Sequence, residues 1–258
     1  MKTLVLYKTM FKQTIIGLRR YMFETITGTV TLFLFFLALF YGAKAFGADG
    51  PQFGNTLDHM VVGYAVWTMA IFVYFSMAQD LLMEAQLGTL EQLAMSPLGL
   101  GRVLMGRALS GLVWQLLTMA VLLTAMMAAT GKWLNVDLLS IIPILILTVA
   151  GVTGLSFALA GLAIVFKKVQ SALQIVQVGF ILLLAVPLSR VPALKFAPLS
   201  WGFGLLKKIM VDGETLLSLG AGDVGFLALH AVVYIALGLA VFRMFENVAR
   251  SRGLLGHY

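Results

Sequence analysis

The chain has 258 residues, of which 60% are hydrophobic and 11% charged, with a mean hydropathy of +0.98. Soluble domains carry about 25% charged residues, so most of this surface is expected to meet lipid, in one compact helical bundle over 1–258 with no separate soluble domain. The absence of cysteine excludes disulfides, thiolate metal sites and cysteine nucleophiles, and the net charge of +7 comes with no basic soluble module that would bind nucleic acid.

In residues 1–24, Leu4, Tyr7, Phe11, Ile15, Leu18 and Met22 recur at three- and four-residue steps and are flanked by Lys8, Lys12 and Arg19. That pattern predicts an amphipathic helix in the headgroup region, its apolar face against lipid. A run free of charge over 25–43 follows, inside a first span placed at 25–46. Further spans are expected at 60–79, 108–131, 138–166, 169–189 and 224–242, each close to the roughly 20 residues a bilayer core requires. Pro143, Gly151 and Gly154 lie in the fourth of these, which is long enough to tilt or kink. Ala43-Lys44-Ala45 has the small residues of a signal-peptide cleavage site, but a lysine stands inside it and the apolar run is longer than such signals use. The sequence thus predicts an all-α fold: six transmembrane helices, an N-terminal interfacial helix and a short helical outer hairpin before the last span.

Lysine and arginine set the orientation. With the N-terminus in the cytoplasm, Lys2, Lys8, Lys12, Arg19, Arg20, Arg102, Arg107, Lys167, Lys168, Arg243, Arg250 and Arg252 are inside. Lys44, Lys132, Arg190, Lys195, Lys207 and Lys208 are outside, so twelve of the 18 basic residues are cytoplasmic. Both termini then lie inside. The outer loop 190–223 contains Pro192 and Pro198, and a short helix over 199–211 is expected to dip into the outer leaflet or cap the bundle, the alternative being a plain surface loop.

The inner loop 82–97 is the most informative segment. On one helix Glu84 and Glu91 share a face, and Leu87, Leu90 and Ala94 share another; Pro97 should end the helix at Ser96. Amphipathicity alone leaves two destinations, a docking groove or the lipid surface. Glu84, then Gly88-Thr89-Leu90-Glu91-Gln92-Leu93, then Ser96-Pro97, resembles the signature of type-2 ABC export permeases, the membrane subunits of drug, lipid and polysaccharide exporters. The span count, interfacial helix and outer hairpin resemble that architecture as well, so the likeness covers nearly the whole chain. The resemblance implies that Glu84, Leu87, Gly88, Thr89, Leu90, Glu91, Gln92, Leu93, Ser96 and Pro97 belong to a coupling helix seated in a separate ABC ATPase subunit. It also implies that the N-terminal helix touches that subunit, that two ATPases serve two permeases (the second identical or homologous), and that the setting is a bacterial or archaeal plasma membrane. A P-loop needs Gly-x-x-x-x-Gly-Lys-Ser/Thr. The only Gly-Lys here, Gly131-Lys132, is followed by Trp133, so ATP and Mg belong on the partner and no cofactor is expected on this chain.

Gln170, Gln174 and Gln177 form a narrow stripe in the fifth span. Amides in hydrocarbon must face protein or water, so the stripe is either a wall of a substrate path or a set of helix–helix hydrogen bonds. Tyr64, Trp67, Ile71 and Tyr74 share a face of the second span and serve either an apolar substrate or packing. A different class, an intramembrane serine protease, would pair Ser156 with His230, but the two sit at different depths and Phe157 stands where a glycine is expected. A non-transporting sensor is a third class. The function best matched is the permease of an ATP-driven exporter for a hydrophobic or amphipathic compound such as a drug-like molecule or lipid, with a polysaccharide or glycolipid as the alternative cargo.

Overall fold

The computed structural model describes residues 2–46, 56–95, 99–166, 169–186 and 191–253. Among these the chain is all-helical: α1 (Lys2–Arg20), α2 (Met22–Ala45), α3 (Thr56–Gln86), α4 (Leu90–Ala94), α5 (Leu100–Thr130), α6 (Leu138–Val165), α7 (Gln170–Ala185), α8 (Ser200–Met210) and α9 (Ala221–Ser251), with a 3-10 turn at Pro192–Phe196 before α8. Five of these helices, α2, α3, α5, α6 and α9, are long and apolar enough to cross a membrane. The chain is therefore a multi-pass membrane protein by length and composition. The span expected at 169–189 is shorter than the sequence suggested. Helix α7 has 16 residues, a rise of about 24 Å at 1.5 Å per residue against a hydrocarbon core of about 30 Å.

Helices α3 and α6 form the centre, and α2, α5 and α9 present most of their apolar surface outward. Lipid tails are as apolar as leucine, so burial cannot pull membrane helices together; close backbone approach and packing do. Glycine provides this approach between α6 and α9. A Cβ on Gly154 would overlap the Tyr234 carbonyl, one on Gly238 would overlap the Gly154 carbonyl, and one on Gly161 would lie 3.0 Å from Phe242 Cα. Gly151 meets His230, Gly154 meets Tyr234 and Gly161 meets Phe242. Numbers rise together, so the two helices run parallel.

The other pairings fix the remaining directions. The Ser156 hydroxyl donates to the Tyr74 carbonyl at 2.9 Å, and Met77, Leu81 and Ala85 share a core cluster with Phe157, Ala160 and Ile164, so α3 runs parallel to α6. Arg107 meets Glu84 at one end of α5 and Lys132 meets Asp58 at 3.6 Å at the other, so α5 is antiparallel to α3. Helix α2 follows α5, and the Tyr41 hydroxyl donates to the Ala129 carbonyl at 2.9 Å. The bundle thus has an Asp58 end, where α3, α6 and α9 begin, and a Glu84 end, where they finish. Helix α7 starts beside Gln86 and places Phe180 5.3 Å from the Tyr74 ring, so it runs from the Glu84 end back toward the Asp58 end.

The helix expected over 199–211 is α8, and it caps the bundle. Phe203, Leu205, Leu206, Ile209 and Met210 are buried, Gly202 lies close against the Thr148 side chain, and the Phe203 ring lies over Gly63. Lys207 packs its ammonium 5.1 Å from the Phe203 ring; burial lowers its pKa from the usual lysine value, and Asp212 partly restores it. Helix α1 ends at Arg20, and after Tyr21 α2 begins at Met22, earlier than expected. Tyr7 and Met10 rest on Gly106 of α5, so Tyr7 of the predicted stripe packs on protein, while Phe11, Ile15 and Ile16 stay exposed.

Candidate functional site

The segment 82–97 is not one helix. Helix α3 ends at Gln86, Gly88 takes φ +70°, and α4 covers only Leu90–Ala94. The Gly88 N–H reaches the Ala85 carbonyl at 3.1 Å and the Thr89 N–H reaches the Glu84 carbonyl at 2.9 Å, the bond pair of a Schellman motif with glycine at its left-handed position. The face shared by Glu84 and Glu91 is therefore broken. Gly88 serves the turn rather than a close approach, since a Cβ there would meet nothing within 4 Å. Ser96 and Pro97 lie outside the described residues.

Glu84 holds this turn to the bundle. One carboxylate oxygen takes the Arg107 guanidinium of α5 at 2.5 Å and the other accepts from the Thr89 hydroxyl. Leu90 is buried, and Leu93 packs beside it on the α3–α6 core. Leu87 and Met95, 66% and 70% exposed, stand outward with Glu91 and Gln92. The Glu84 end thus offers a rigidly anchored knob with an apolar and acidic outer surface.

Beside the knob a cavity of about 750 Å³ opens between α1, α2, α3 and α5. From α3 it is lined by Phe72, Ser76 and Asp80, from α5 by Arg107, Gly111, Trp114, Gln115 and Thr118, from α2 by Glu24, Thr25 and Thr29, and from α1 by Met10 and Gln13. The Thr29 and Ser76 hydroxyls donate to carbonyls of their own helices and the Thr25 hydroxyl to the carbonyl of Tyr21 just before α2, whereas Gln13, Gln115 and Thr118 have no side-chain partner among the described residues. The sequence reading missed this cavity, although its signals were local: Asp80 four residues before Glu84, and Gly111, Gln115 and Thr118 at helical spacing in an apolar span.

The other candidates fall elsewhere. Gln170 lines a second recess of about 400 Å³ with Gln79 and Gln86 at the start of α7. Gln174 is exposed on α7 and Gln177 half-buried, neither with a hydrogen bond among the described residues. Tyr64 and Tyr74 are in the core: the Tyr64 hydroxyl donates to the Leu32 carbonyl at 2.7 Å, its ring lies 5.5 Å from Trp67, and Tyr74 is fully enclosed against Phe180. Neither lines the two cavities. Ser156 is committed to Tyr74, and His230 Nε2 lies 2.9 Å from the Phe196 carbonyl, where it ties the 3-10 turn to α9 with Tyr234; the structure does not bring Ser156 and His230 together. Comparison with protein-family models, with curated proteins and with solved structures produced no match.

Proposed function

We propose that the chain is the membrane permease of an ATP-driven exporter, with the knob of Glu84–Thr89 and α4 as the surface that docks a separate ABC ATPase. The observation that supports it is the anchoring: a short helix with one exposed face is fastened by Glu84 to two long helices at once, so a push on the knob is delivered to α3 and α5. ATP and Mg reside on that partner, two of which serve a pair of permeases. Hydrophobic or amphipathic cargo suits a bundle with so few intramembrane charges. The knob lies on the cytoplasmic side of a bacterial or archaeal plasma membrane, with both termini.

Helix α7 is the sixth crossing in this reading. Helices α6 and α9 run parallel although α9 follows α6 in the chain, so the chain must return through the bundle between them, and α7 runs in that direction. Single cysteines at Lys132 and Glu214 should be labelled from outside intact cells, and those at Gln92 and Ser251 should not. Labelling at Gln92 would place the knob outside the cell and remove it from any cytoplasmic ATPase.

The outer face of α7 carries Gln174 with Ile175, Val178 and Leu182, all exposed. An amide unpartnered in lipid costs free energy, so this face is assigned to the second permease or to a wet vestibule. Gln174→Leu is expected to reduce transport severalfold while ATPase copurification stays unchanged. Loss of permease pairing alone, seen by crosslinking, would assign the stripe to assembly instead.

A further inference from the structure

We infer that the cavity between α1, α2, α3 and α5 is a binding site for an amphiphile that carries an ammonium or other organic cation. Its volume of about 750 Å³ lies in the range of small-molecule sites, roughly 300–1,000 Å³. Phe72 and Leu109 line it and remain exposed, so it opens at the surface and a ligand has a way in.

Charge selects the ligand. Arg107, the one basic residue among its lining residues, is taken at 2.5 Å by Glu84 and acts on Asp80 only through space. Asp80 stands half-buried and Glu24 exposed, and neither has a salt-bridge partner among the described residues. The lining therefore carries two carboxylates without cations of their own. An ionisable residue within a membrane span is costly unless it meets a partner, and a cation beside a carboxylate holds it in the ionised form. Phe72 and Trp114 supply ring faces that attract a cation, and the methionines Met10 and Met105 supply an adaptable apolar wall. The unpartnered amides of Gln13 and Gln115 fit the polar part of such a molecule. An anion would meet repulsion from Glu24, find the lining's guanidinium engaged by Glu84 and gain nothing from Asp80.

The source of the cation is either a lipid headgroup or a soluble molecule. Because the site rests on the cavity alone, it can be tested without the ATPase. The full chain, in nanodiscs of phosphatidylglycerol, is titrated with rhodamine 6G, an amphipathic fluorescent cation, and with fluorescein, an anion of similar size, by fluorescence polarisation. Saturable binding of the cation and not the anion, above that to protein-free nanodiscs of the same lipid, is expected. Asp80→Asn should weaken it about tenfold or more, as loss of a charge-assisted contact does. Gly111→Phe should do the same by filling the space, since a Cβ at Gly111 has nothing within 4 Å, and its thermal melt should match the wild type. If Asp80→Asn fails to fold, Gly111→Phe still decides. Equal affinity in the wild type and Gly111→Phe, or equal binding of both dyes, would overturn the site. Repeating the titration with phosphatidylethanolamine added, after subtracting binding to protein-free nanodiscs of the same composition, distinguishes the sources: suppressed protein-dependent binding identifies the lipid ammonium as occupant, and unchanged binding a soluble cation. ATPase copurification, measured separately, reports on the exporter reading and is independent of either dye.

Discussion

Gly238→Val is expected to remove most of the folded protein from the membrane. A Cβ at Gly238 overlaps the Gly154 carbonyl and Cα, and the atoms in the way are backbone, so no side chain can rotate aside. Helix α9 must move off α6, which opens the most intimate helix contact in the bundle. Overpacking in a core costs about 1–3 kcal/mol and more when backbone must shift, a large part of the 5–15 kcal/mol typical of a folded domain. Gly154→Val should behave alike, because its Cβ meets the Tyr234 carbonyl. Gly179→Val serves as the control, with nothing within 4 Å of its Cβ, and should express normally. The measurement is the monodisperse fraction in detergent by fluorescence-detected gel filtration. Normal yield of both Gly154→Val and Gly238→Val would show that α6 and α9 are not in backbone contact.

Glu84→Ala is expected to uncouple ATP hydrolysis from transport without preventing insertion. The substitution leaves the Arg107 guanidinium without its carboxylate and leaves the Thr89 hydroxyl only the backbone carbonyl of residue 84. Side chains here are 24% and 16% exposed for Arg107 and Glu84, so the loss falls between the 0.2–1 kcal/mol of a surface pair and the roughly 3–5 kcal/mol of breaking a buried one. The helices still insert, since insertion depends on the apolar spans. What fails is the stiffness of the link from α4 to α3 and α5. Glu91→Lys reverses an exposed charge at the proposed docking surface, where like charges would penalise association. Both variants should reduce substrate-stimulated ATPase activity of the reconstituted complex at least tenfold, with ATPase copurification weakened for Glu91→Lys and retained for Glu84→Ala. Undiminished coupling in both would withdraw the docking role of the knob.

A gentler change separates turn from interface. Gly88→Ala keeps the surface open but places a Cβ on a residue at φ +70°, which costs about 1–2 kcal/mol. It should lower the thermal midpoint by a few degrees and leave copurification of the ATPase intact.

The sequence by itself determined the solvent, the helical class and most of the helices. Long charge-free runs can do nothing else in lipid, because every backbone amide must be satisfied within its own segment. The helix of Ser200–Met210 was legible for the same local reason, with a proline ahead of it and lysines in its last turn. The start of α2 at Met22 and the shortness of α7 were not, since apolar runs mark hydropathy and not where the helix breaks. At 82–97 the periodicity of the acidic and apolar residues was real but misleading. A single left-handed glycine ends α3, and the sequence signal for it, Gly88, competes with a helical pattern on both sides.

Only the tertiary structure decided which polar residues meet. Spacing put Tyr64 and Tyr74 on one face but could not say that α2 and α7 would cover that face. Ser156 and His230 lie on neighbouring parallel helices, yet each turns to a different carbonyl. Asp80, Gln115 and Glu24 come from three helices separated by tens of residues, and no periodicity within one helix relates them. Their convergence depends on how α2, α3 and α5 pack around one cavity at the Glu84 end, where Arg107 of α5 is tied to Glu84 of α3. At the opposite end of the bundle Phe36 and Phe40 of α2 pack with Tyr64 of α3, a contact between residues far apart in sequence that only the tertiary structure shows.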